Sequence, residues 1–384
     1  MNSSLIIEKF KTVATTFSNE SIAGWKAGGG KVVGYTCSFV PEELLLAAGL
    51  MPFRIRATGS VNSGLADDYF EAANICSMVR HTFNVMLTGA YDFLDGAVIG
   101  GGCDANRHIY DNLKRSPVKL SFLETIFFPH GSDDVMAEFY SRELGVLKSK
   151  IEDHFGVEIT NDKLLDAIKL CNETRELQRK IYALRMSDNP PVTGAEMVAI
   201  MVAGSSLPKN EYNANLRELL CELAKIEPGL QNTLTRLMIV GPGNDETSLC
   251  DIIENTGGIV VTDLTCFGRK MVIGSVDEDN PDPLRAIADY QVLVRPFCPK
   301  NLGAQPHITK TVLESVKDFR VDGVVGQNFL CCDMWGGSLF ILNKELRVTG
   351  TPMLRIEREY QADAAGQLKT RIQAFIETIT GGAI

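Results

Sequence analysis

A short pattern that occurs twice restricts the fold of this chain more than any other feature. Residues 94–98 read Leu-Asp-Gly-Ala-Val and are followed by Cys103 and an aspartate; residues 321–325 read Val-Asp-Gly-Val-Val and are followed by Cys332 and an aspartate. An apolar run of this length is typical of a buried strand. Open α/β sheets place their ligand sites at the carboxyl ends of strands. The repeat therefore predicts two similar α/β units with a cysteine at each ligand-binding edge.

The remaining elements follow the strand, helix, strand order that builds parallel sheets. In the first unit the pattern predicts strands at 31–35, 51–55 and 96–99, with a helix opened by Pro41 between the first two. In the second unit it predicts strands at 237–240, 259–262, 292–295 and 323–325, a helix at 246–255 and a terminal helix at about 366–379.

The stretch between the two units is rich in helix formers with apolar residues at helical spacing. It is interrupted by Asn-Pro-Pro at 189–191 and Gly-Ser-Ser at 204–206. The expected organisation is an N-terminal α/β domain at 1–132, a helical insert at 133–230 and a C-terminal α/β domain with its terminal helix at 231–384.

Charge and hydropathy exclude several classes of partner. The formal net charge is -10 and no run of Lys or Arg is present, so nucleic acid and anionic membranes are not expected partners. No apolar run reaches membrane-spanning length. The first 17 residues include Glu8, Lys9 and Lys11, which do not suit a signal peptide. We therefore expect a cytoplasmic protein, in which the ten cysteines favour metal or redox chemistry over disulfides.

Six of the cysteines share a setting, because each follows a predicted strand or a glycine-rich or proline-rich turn, or opens a helix. They are Cys37, Cys76, Cys103, Cys266, Cys298 and Cys332. Loops at strand ends let distant thiolates converge, and helix N-termini stabilise their charge, as an iron-sulfur cluster requires.

The other cysteines are predicted to lie away from this site. Cys171, Cys221 and Cys250 fall inside predicted helices and are interpreted as small apolar residues. Cys331 is adjacent to Cys332, and neighbouring residues of a strand point to opposite faces, so one of the two is expected to reach the site.

Other cofactor classes have weaker support. There is no Cys-x-x-Cys pair, and the five histidines do not fall at zinc-ligand spacing from two cysteines. No Walker A motif is present, and Gly241-Pro242-Gly243 lacks the third glycine of a dinucleotide fingerprint. If ATP energy is used, a partner must hydrolyse it.

Several segments, taken together and in order, resemble the superfamily of 2-hydroxyacyl-CoA dehydratases and benzoyl-CoA reductases, in particular its smaller cluster-bearing subunit. The segments are Cys37-Ser38-Phe39-Val40-Pro41-Glu42-Glu43-Leu44, Cys76, Cys103-Asp104, Cys332-Asp333-Met334-Trp335 and Gly366-Gln367-Leu368. The resemblance implies two flavodoxin-like domains with a cluster between them and an ATP-hydrolysing activator that supplies one low-potential electron. It also implies that Cys76, Cys103 and Cys332 are ligands of a [4Fe-4S] cluster.

Three further cysteines, Cys37, Cys266 and Cys298, make the chain similar to the double-cubane proteins of this superfamily, which carry an [8Fe-9S] cluster. Those members are homodimers that reduce small molecules with an ATPase reductase. The alternatives are a [4Fe-4S] subunit that acts on an acyl-CoA thioester beside a related subunit, and a non-catalytic electron carrier. The sequence leaves open how six thiolates divide between two cubanes.

Four charged residues near the proposed ligands are candidates for roles beyond the cluster. Glu42 and Glu43 open a helix beside Cys37 and are predicted to act as a proton carrier or to bind the activator. Arg80 is predicted to donate to cluster sulfurs or a thioester oxygen, and Arg269 to contact coenzyme A phosphates. For all four, an ordinary role in helix dipoles or solvated ion pairs is the competing interpretation.

Overall fold

The computed structural model describes residues 2–70, 74–226, 233–361 and 365–381. Its core consists of two four-stranded sheets, in which every paired strand is parallel. The first sheet contains β1 (Val32–Tyr35), β2 (Met51–Arg54), β3 (Gly96–Gly100) and β4 (Phe122–Ile126). The second contains β5 (Thr235–Val240), β6 (Gly258–Leu264), β7 (Gly323–Phe329) and β8 (Met353–Arg358). The predicted α/β class with two parallel sheets is confirmed.

The two sheets have the same strand order, β2-β1-β3-β4 and β6-β5-β7-β8. This is the order of the first four strands in the flavodoxin-like arrangement, which binds ligands beside the carboxyl ends of its first and third strands. In this chain those strands are β1 and β3 in one sheet and β5 and β7 in the other.

The aspartate of the repeated pattern has the same structural role in both sheets. Asp95 accepts a hydrogen bond from the Val32 amide at 2.9 Å and its own amide donates to the Val32 carbonyl. Asp322 makes the same pair of bonds with Arg236, the carboxylate bond being 2.8 Å long. The repeat therefore sets the register between the first and third strands of each sheet.

Helices connect the strands and supply the connection between the two sheets. They are α1 (Ser3–Thr15), α2 (Glu20–Ala27), α3 (Glu42–Ala47), α4 (Gly64–Asp67), α5 (Ser77–Leu87), α6 (Asp104–Arg115), α7 (Asp134–Phe155), α8 (Asn161–Leu184), α9 (Gly194–Gly204), α10 (Lys209–Leu223), α11 (Ser248–Glu254), α12 (Pro283–Asp289), α13 (Gln305–Asp318), α14 (Asp333–Val348) and α15 (Ala365–Gly381).

Helices α7 to α10 occupy the predicted helical stretch, and its two expected breaks separate α8 from α9 and α9 from α10. The boundary expected after residue 230 lies outside the described residues, and the division into domains stays a prediction. Helix α1 packs in one core with α10 and β5, where Phe10 contacts Tyr212 at a ring distance of 5.5 Å. The N-terminal helix thus joins the core of the second sheet.

One predicted strand is wrong. Residues 292–295 do not form a strand; the chain continues from α12 into a π-helical turn at Tyr290–Val294. The Tyr290 hydroxyl donates to the carbonyls of Met271 and Ile273, and Tyr290 and Val292 are buried against α7 and α8. A short apolar run does not by itself distinguish a strand from a buried helical turn, so tertiary packing decided the conformation.

The edge strands β4 and β8 were not predicted from the sequence. Both include charged side chains, such as Glu124, Arg355 and Glu357, and are only partly buried. Within the described ranges, no helix is both long and apolar enough to cross a membrane.

Candidate functional site

The structure brings the six predicted cysteines together around one cavity. The cavity has a volume of about 160 Å³ and is walled by Met78, Val79, Ile109 and Trp335 among other apolar side chains. The thiols that line it are Cys37, Cys76 and Cys103 from the first half of the chain and Cys266, Cys298 and Cys332 from the second. A water molecule occupies about 30 Å³ of liquid, so the cavity accommodates a much larger group.

Three of these cysteines lie at helix N-termini. Cys76, Cys103 and Cys332 are the residues that precede α5, α6 and α14. Backbone amides of the first helical turns act to lower the pKa of these thiols, those of Met78 and Val79 at Cys76, that of Asn106 at Cys103 and that of Trp335 at Cys332. The partial positive charge of each helix end therefore faces a thiol.

Cys76 and Cys332 are in direct contact although 256 positions separate them in the sequence (332 minus 76). Both side chains belong to one small core cluster, and the interaction of their thiols lowers the pKa of Cys76 and raises that of Cys332. The start of α5 is held there by two bonds to the second half: the Ser77 amide donates to the Leu330 carbonyl at 3.1 Å, and the Tyr360 amide donates to the Ser77 hydroxyl at 2.9 Å. Burial raises the pKa of the third member, Cys103, to about 12.

The other three cysteines lie in turns. The carbonyl of Cys37 accepts from the Val40 amide, and that of Cys298 accepts from the Asn301 amide. Cys266 lies in a loop fastened by Asp263, whose carboxylate accepts from the Thr265 amide and hydroxyl and from the amide of Arg269. These turns direct the thiols to the cavity without a helix end behind them.

Glycine is required where β3 meets Cys37. A Cβ atom at Gly100 would overlap the Cβ of Cys37, and one at Gly102 would contact its sulfur at 3.6 Å. The glycine run at 100–102 therefore lets Cys37 and Cys103 reach the same cavity.

Buried cations surround the turn cysteines, and sequence reasoning singled out only Lys270 among them, as a candidate contact of coenzyme A phosphates or a loop cap. They are Arg54, Lys270, Arg295 and Lys300, all with less than a tenth of their surface exposed. Burial lowers the pKa of Lys300 to about 8, although the thiols of Cys37 and Cys298 act in the opposite direction. The only local signal for Lys270, Arg295 and Lys300 was their short distance in sequence from Cys266 or Cys298, and Arg54 had no such signal.

Cys331 does not line the cavity, whereas Cys332 does. This agrees with the expectation that one of the two adjacent cysteines reaches the site, but the physical reason differs from the predicted one. The pair follows β7 in a turn, and Cys331 takes a left-handed conformation with a φ of 62°. The two side chains therefore diverge because of the turn, and not because of strand alternation. Cys171 and Cys250 are buried in α8 and α11, and Cys221 is exposed on α10.

Glu42 and Glu43 lie beside the cysteine cavity without lining it. Glu42 lines a second, smaller cavity of about 50 Å³, where it accepts from the Tyr35 hydroxyl at 2.6 Å and pairs with Lys209 at 2.6 Å. Burial acts to raise the pKa of Glu42, but these two partners outweigh it and the pKa is lowered. Glu43 is buried in an ion pair with Arg175. A catalytic role for either residue stays a prediction.

Arg80 and Arg269 are also engaged by protein groups. Arg80 pairs with Asp67 at 3.4 Å and with Glu359 at 3.3 Å. Arg269 donates to the Ser315 hydroxyl at 2.6 Å. Their predicted roles in cofactor binding stay predictions.

The residues around the cavity fit an iron-sulfur cluster better than a single metal ion. Within the described ranges, no group of three or more His, Cys, Asp or Glu side chains converges closely enough to hold one ion. The six thiols are instead spread over a cavity large enough for a multi-iron core. Thiolates are the usual protein ligands of such clusters, and backbone amides and buried cations offset their negative charge.

Comparison with known proteins agrees with this geometry. The family described as 2-hydroxyglutaryl-CoA dehydratase, D-component, matches residues 37–379. The chain belongs to this family. The match begins at Cys37, just after β1, and includes the other seven strands and all six cavity cysteines.

Relatives within this family are components of larger enzymes. The beta subunit of (R)-phenyllactyl-CoA dehydratase from Clostridium sporogenes is 24% identical over 378 residues, which cover 98% of this chain and 100% of the relative. The beta subunit of (R)-2-hydroxyglutaryl-CoA dehydratase from Acidaminococcus fermentans is 25% identical over 386 residues, covering 98% and 99%. One of the subunits of benzoyl-CoA reductase from Thauera aromatica is 30% identical over 236 residues, or 61% of each chain. The similarity supports an enzyme component of the dehydratase or reductase type.

Proposed function

We propose that this protein is an iron-sulfur reductase or dehydratase component that accepts low-potential electrons from an ATP-hydrolysing activator and holds a double-cubane [8Fe-9S] cluster. One observation carries the proposal: six cysteines, three from each half of the chain, line a single cavity. A single [4Fe-4S] cluster with three cysteine ligands would leave the other three thiols of the cavity without a role.

The structural settings of the thiols divide them into two groups, three that directly precede helices and three that lie in turns. In the first group, Cys332 interacts most strongly with Cys76 and also with Cys103. In the second group, Cys266 interacts electrostatically with Cys298 and Cys37. We infer that each group holds one cubane, so that each cubane has ligands from both halves of the chain.

Cys103 also interacts electrostatically with Cys37 and Cys298, so it joins the two groups. When bound, the cluster would supply one-electron chemistry at low potential. The protein would supply the thiolates, exclude water with apolar walls, and offset negative charge with helix N-termini and buried cations. The proposed partners are the activator and either a second copy of this chain or a related subunit, and the proposed substrate is a small molecule.

A second candidate is favoured by the relatives, which are named for acyl-CoA dehydratases and for benzoyl-CoA reductase. In this alternative Cys76, Cys103 and Cys332 hold one [4Fe-4S] cluster, and the protein acts on an acyl-CoA thioester together with a related subunit.

Iron and acid-labile sulfide per chain separate these candidates. We expect about eight irons with a small excess of sulfide in anaerobically purified protein, and an EPR signal after reduction. About four irons would instead support the acyl-CoA candidate, and zinc without sulfide would contradict both. The Cys298→Ser variant sharpens the test, because it is expected to reduce the iron content only if the second group holds a cubane.

A further inference from the structure

The two cysteine groups lie in different electrostatic environments. We propose that Lys270 and Lys300 make the group Cys37, Cys266 and Cys298 the half of the cluster on which an accepted electron settles. This inference rests on the proposed double cubane. It adds which half of the cluster carries the accepted electron. Lys270 and Lys300 are positioning residues, because they would act on the cluster through their positive charge and not as its ligands.

Lys300 faces the cysteine cavity directly. Its side chain lines the cavity and is 7% exposed, and its ammonium has no hydrogen-bond partner within the described ranges. The ammonium lies 4.4 Å from the centre of the Phe39 ring and 4.3 Å from that of Phe128. It interacts electrostatically with Cys37 and Cys298. Both of these thiols belong to the same group.

Lys270 acts on the third member of that group. It is 1% exposed, and its ammonium likewise has no hydrogen-bond partner in the part of the chain that the structure describes. Its charge is the strongest of those that act on the Cys266 thiol. A buried ammonium without a partner is costly. Two of them beside three thiols indicate that an anionic group normally occupies the cavity.

Arg54 adds to the positive side of the cavity. Its guanidinium donates to the Cys266 carbonyl at 2.5 Å and stacks on the Phe267 ring at 3.6 Å. Its charge also acts on the Cys266 thiol. The group Cys37, Cys266 and Cys298 therefore faces the full positive charges of three side chains. They are Arg54, Lys270 and Lys300.

The other group has weaker positive neighbours. Its three thiols face helix ends, each equivalent to about half an elementary charge. The nearby cation Arg80 is already paired with Asp67 and Glu359. Aspartates in the first turns of α6 and α14 oppose the helix ends. An added electron is therefore stabilised more strongly beside Lys270 and Lys300.

The experiment is a redox titration of the anaerobic full-length protein, followed by EPR, with a chemical one-electron reductant in place of the activator. We expect Lys270→Met and Lys300→Met each to shift the reduction equilibrium at least tenfold toward the oxidised form, which equals a midpoint potential lower by about 59 mV for one electron. Lys344→Met is the matched control, because Lys344 also lies over an aromatic ring, at 4.6 Å from Phe340, but is exposed on α14.

Arg80→Met tests whether the accepted electron belongs to the half of the cluster held by Cys37, Cys266 and Cys298. It is expected to shift the midpoint less than Lys300→Met, and a larger shift would overturn the proposal. Unchanged midpoints in both lysine variants with wild-type iron content would also overturn it. If Lys300→Met loses iron, Lys300→Arg is expected to retain both the iron and the wild-type midpoint potential. Loss of iron in both Lys300 variants, together with an unchanged midpoint potential in Lys270→Met, would count against the proposal.

The wild-type protein separates this inference from the proposed function. Protein without iron and sulfide would defeat the proposed function itself. Protein with about eight irons, but with unaltered midpoints in the lysine variants, would defeat only the assignment of the electron.

Discussion

Single side chains decide whether the cavity can hold a cluster. Cys332 ends the turn after β7, begins α14 and contacts Cys76, so it joins the two halves of the chain through one thiol. Cys221 is a cysteine of the same chain that lies exposed on α10. The two positions therefore offer the same substitution inside and outside the proposed site.

We expect Cys332→Ser to lose at least half of the bound iron and sulfide, because a serine hydroxyl does not replace a thiolate ligand of an iron-sulfur cluster. Cys221→Ser is expected to keep the wild-type iron content. The measurement is iron and sulfide per chain after anaerobic purification. Full loading of Cys332→Ser would contradict the ligand set.

At the scale of elements, the site depends on the relative position of the first and third strands of each sheet. Asp95 fixes this position in the first sheet through its bonds to Val32 and its ion pairs with Lys26 at 3.0 Å and Lys31 at 3.1 Å. Partial burial acts to raise the pKa of Asp95, but the hydrogen bonds and the lysines outweigh it and lower the pKa. The carboxylate is thus more stable in the folded state than in the unfolded one.

A lowered folded-state pKa stabilises the fold above the unfolded pKa of Asp, near 3.9, and this contribution disappears as the pH falls through the folded-state value. We expect Asp95→Asn to lower the free energy of unfolding by about 1–3 kcal/mol at pH 7. The difference from wild type should narrow below about pH 4. Urea unfolding of both proteins at pH 7 and below about pH 4 measures this difference in the free energy of unfolding. A difference that stays constant with pH would contradict the role of the Asp95 charge.

At the scale of the whole molecule, the cavity is an interface between the two halves. Hydrogen bonds cross it independently of the cysteines: the Asp245 carboxylate accepts from the Ala57 amide at 2.8 Å, the Asp245 carbonyl accepts from the Thr58 hydroxyl at 2.6 Å, and the Arg54 amide donates to the Ser205 carbonyl at 2.9 Å. These bonds hold the halves together without a cluster. A cluster with ligands from both halves would add to this association.

Removal of the cluster should therefore destabilise the whole chain. A group that binds the folded state and not the unfolded one raises the stability by its binding free energy. We expect iron chelation under anaerobic conditions to lower the Tm, as measured by scanning calorimetry. Chelator is expected to lower the Tm of the partly iron-depleted Cys332→Ser variant by less than it lowers that of the wild-type protein. An equal Tm for loaded and fully stripped wild-type protein would contradict a cluster shared by both halves.

The sequence by itself determined the features that depend on local patterns. Apolar runs between turns predicted most of the strands in the two sheets, and the repeated Asp-Gly before β3 and β7 predicted their likeness. The six cysteines were predicted to converge because each follows a strand or turn or begins a helix. The strand predictions succeeded because apolar runs between turns are local signals, and the carboxyl ends of parallel strands lie at one edge of their sheet.

Only the tertiary structure decided the features that depend on contacts between distant residues. It showed that Cys76 and Cys332 lie in one core cluster and that all six thiols line a single cavity. It changed the expected strand near Val292 into a π-helical turn, because packing of Tyr290 outweighs local β propensity. Buried lysines have the same local signature as surface lysines, and only packing against aromatic rings and thiols distinguishes them.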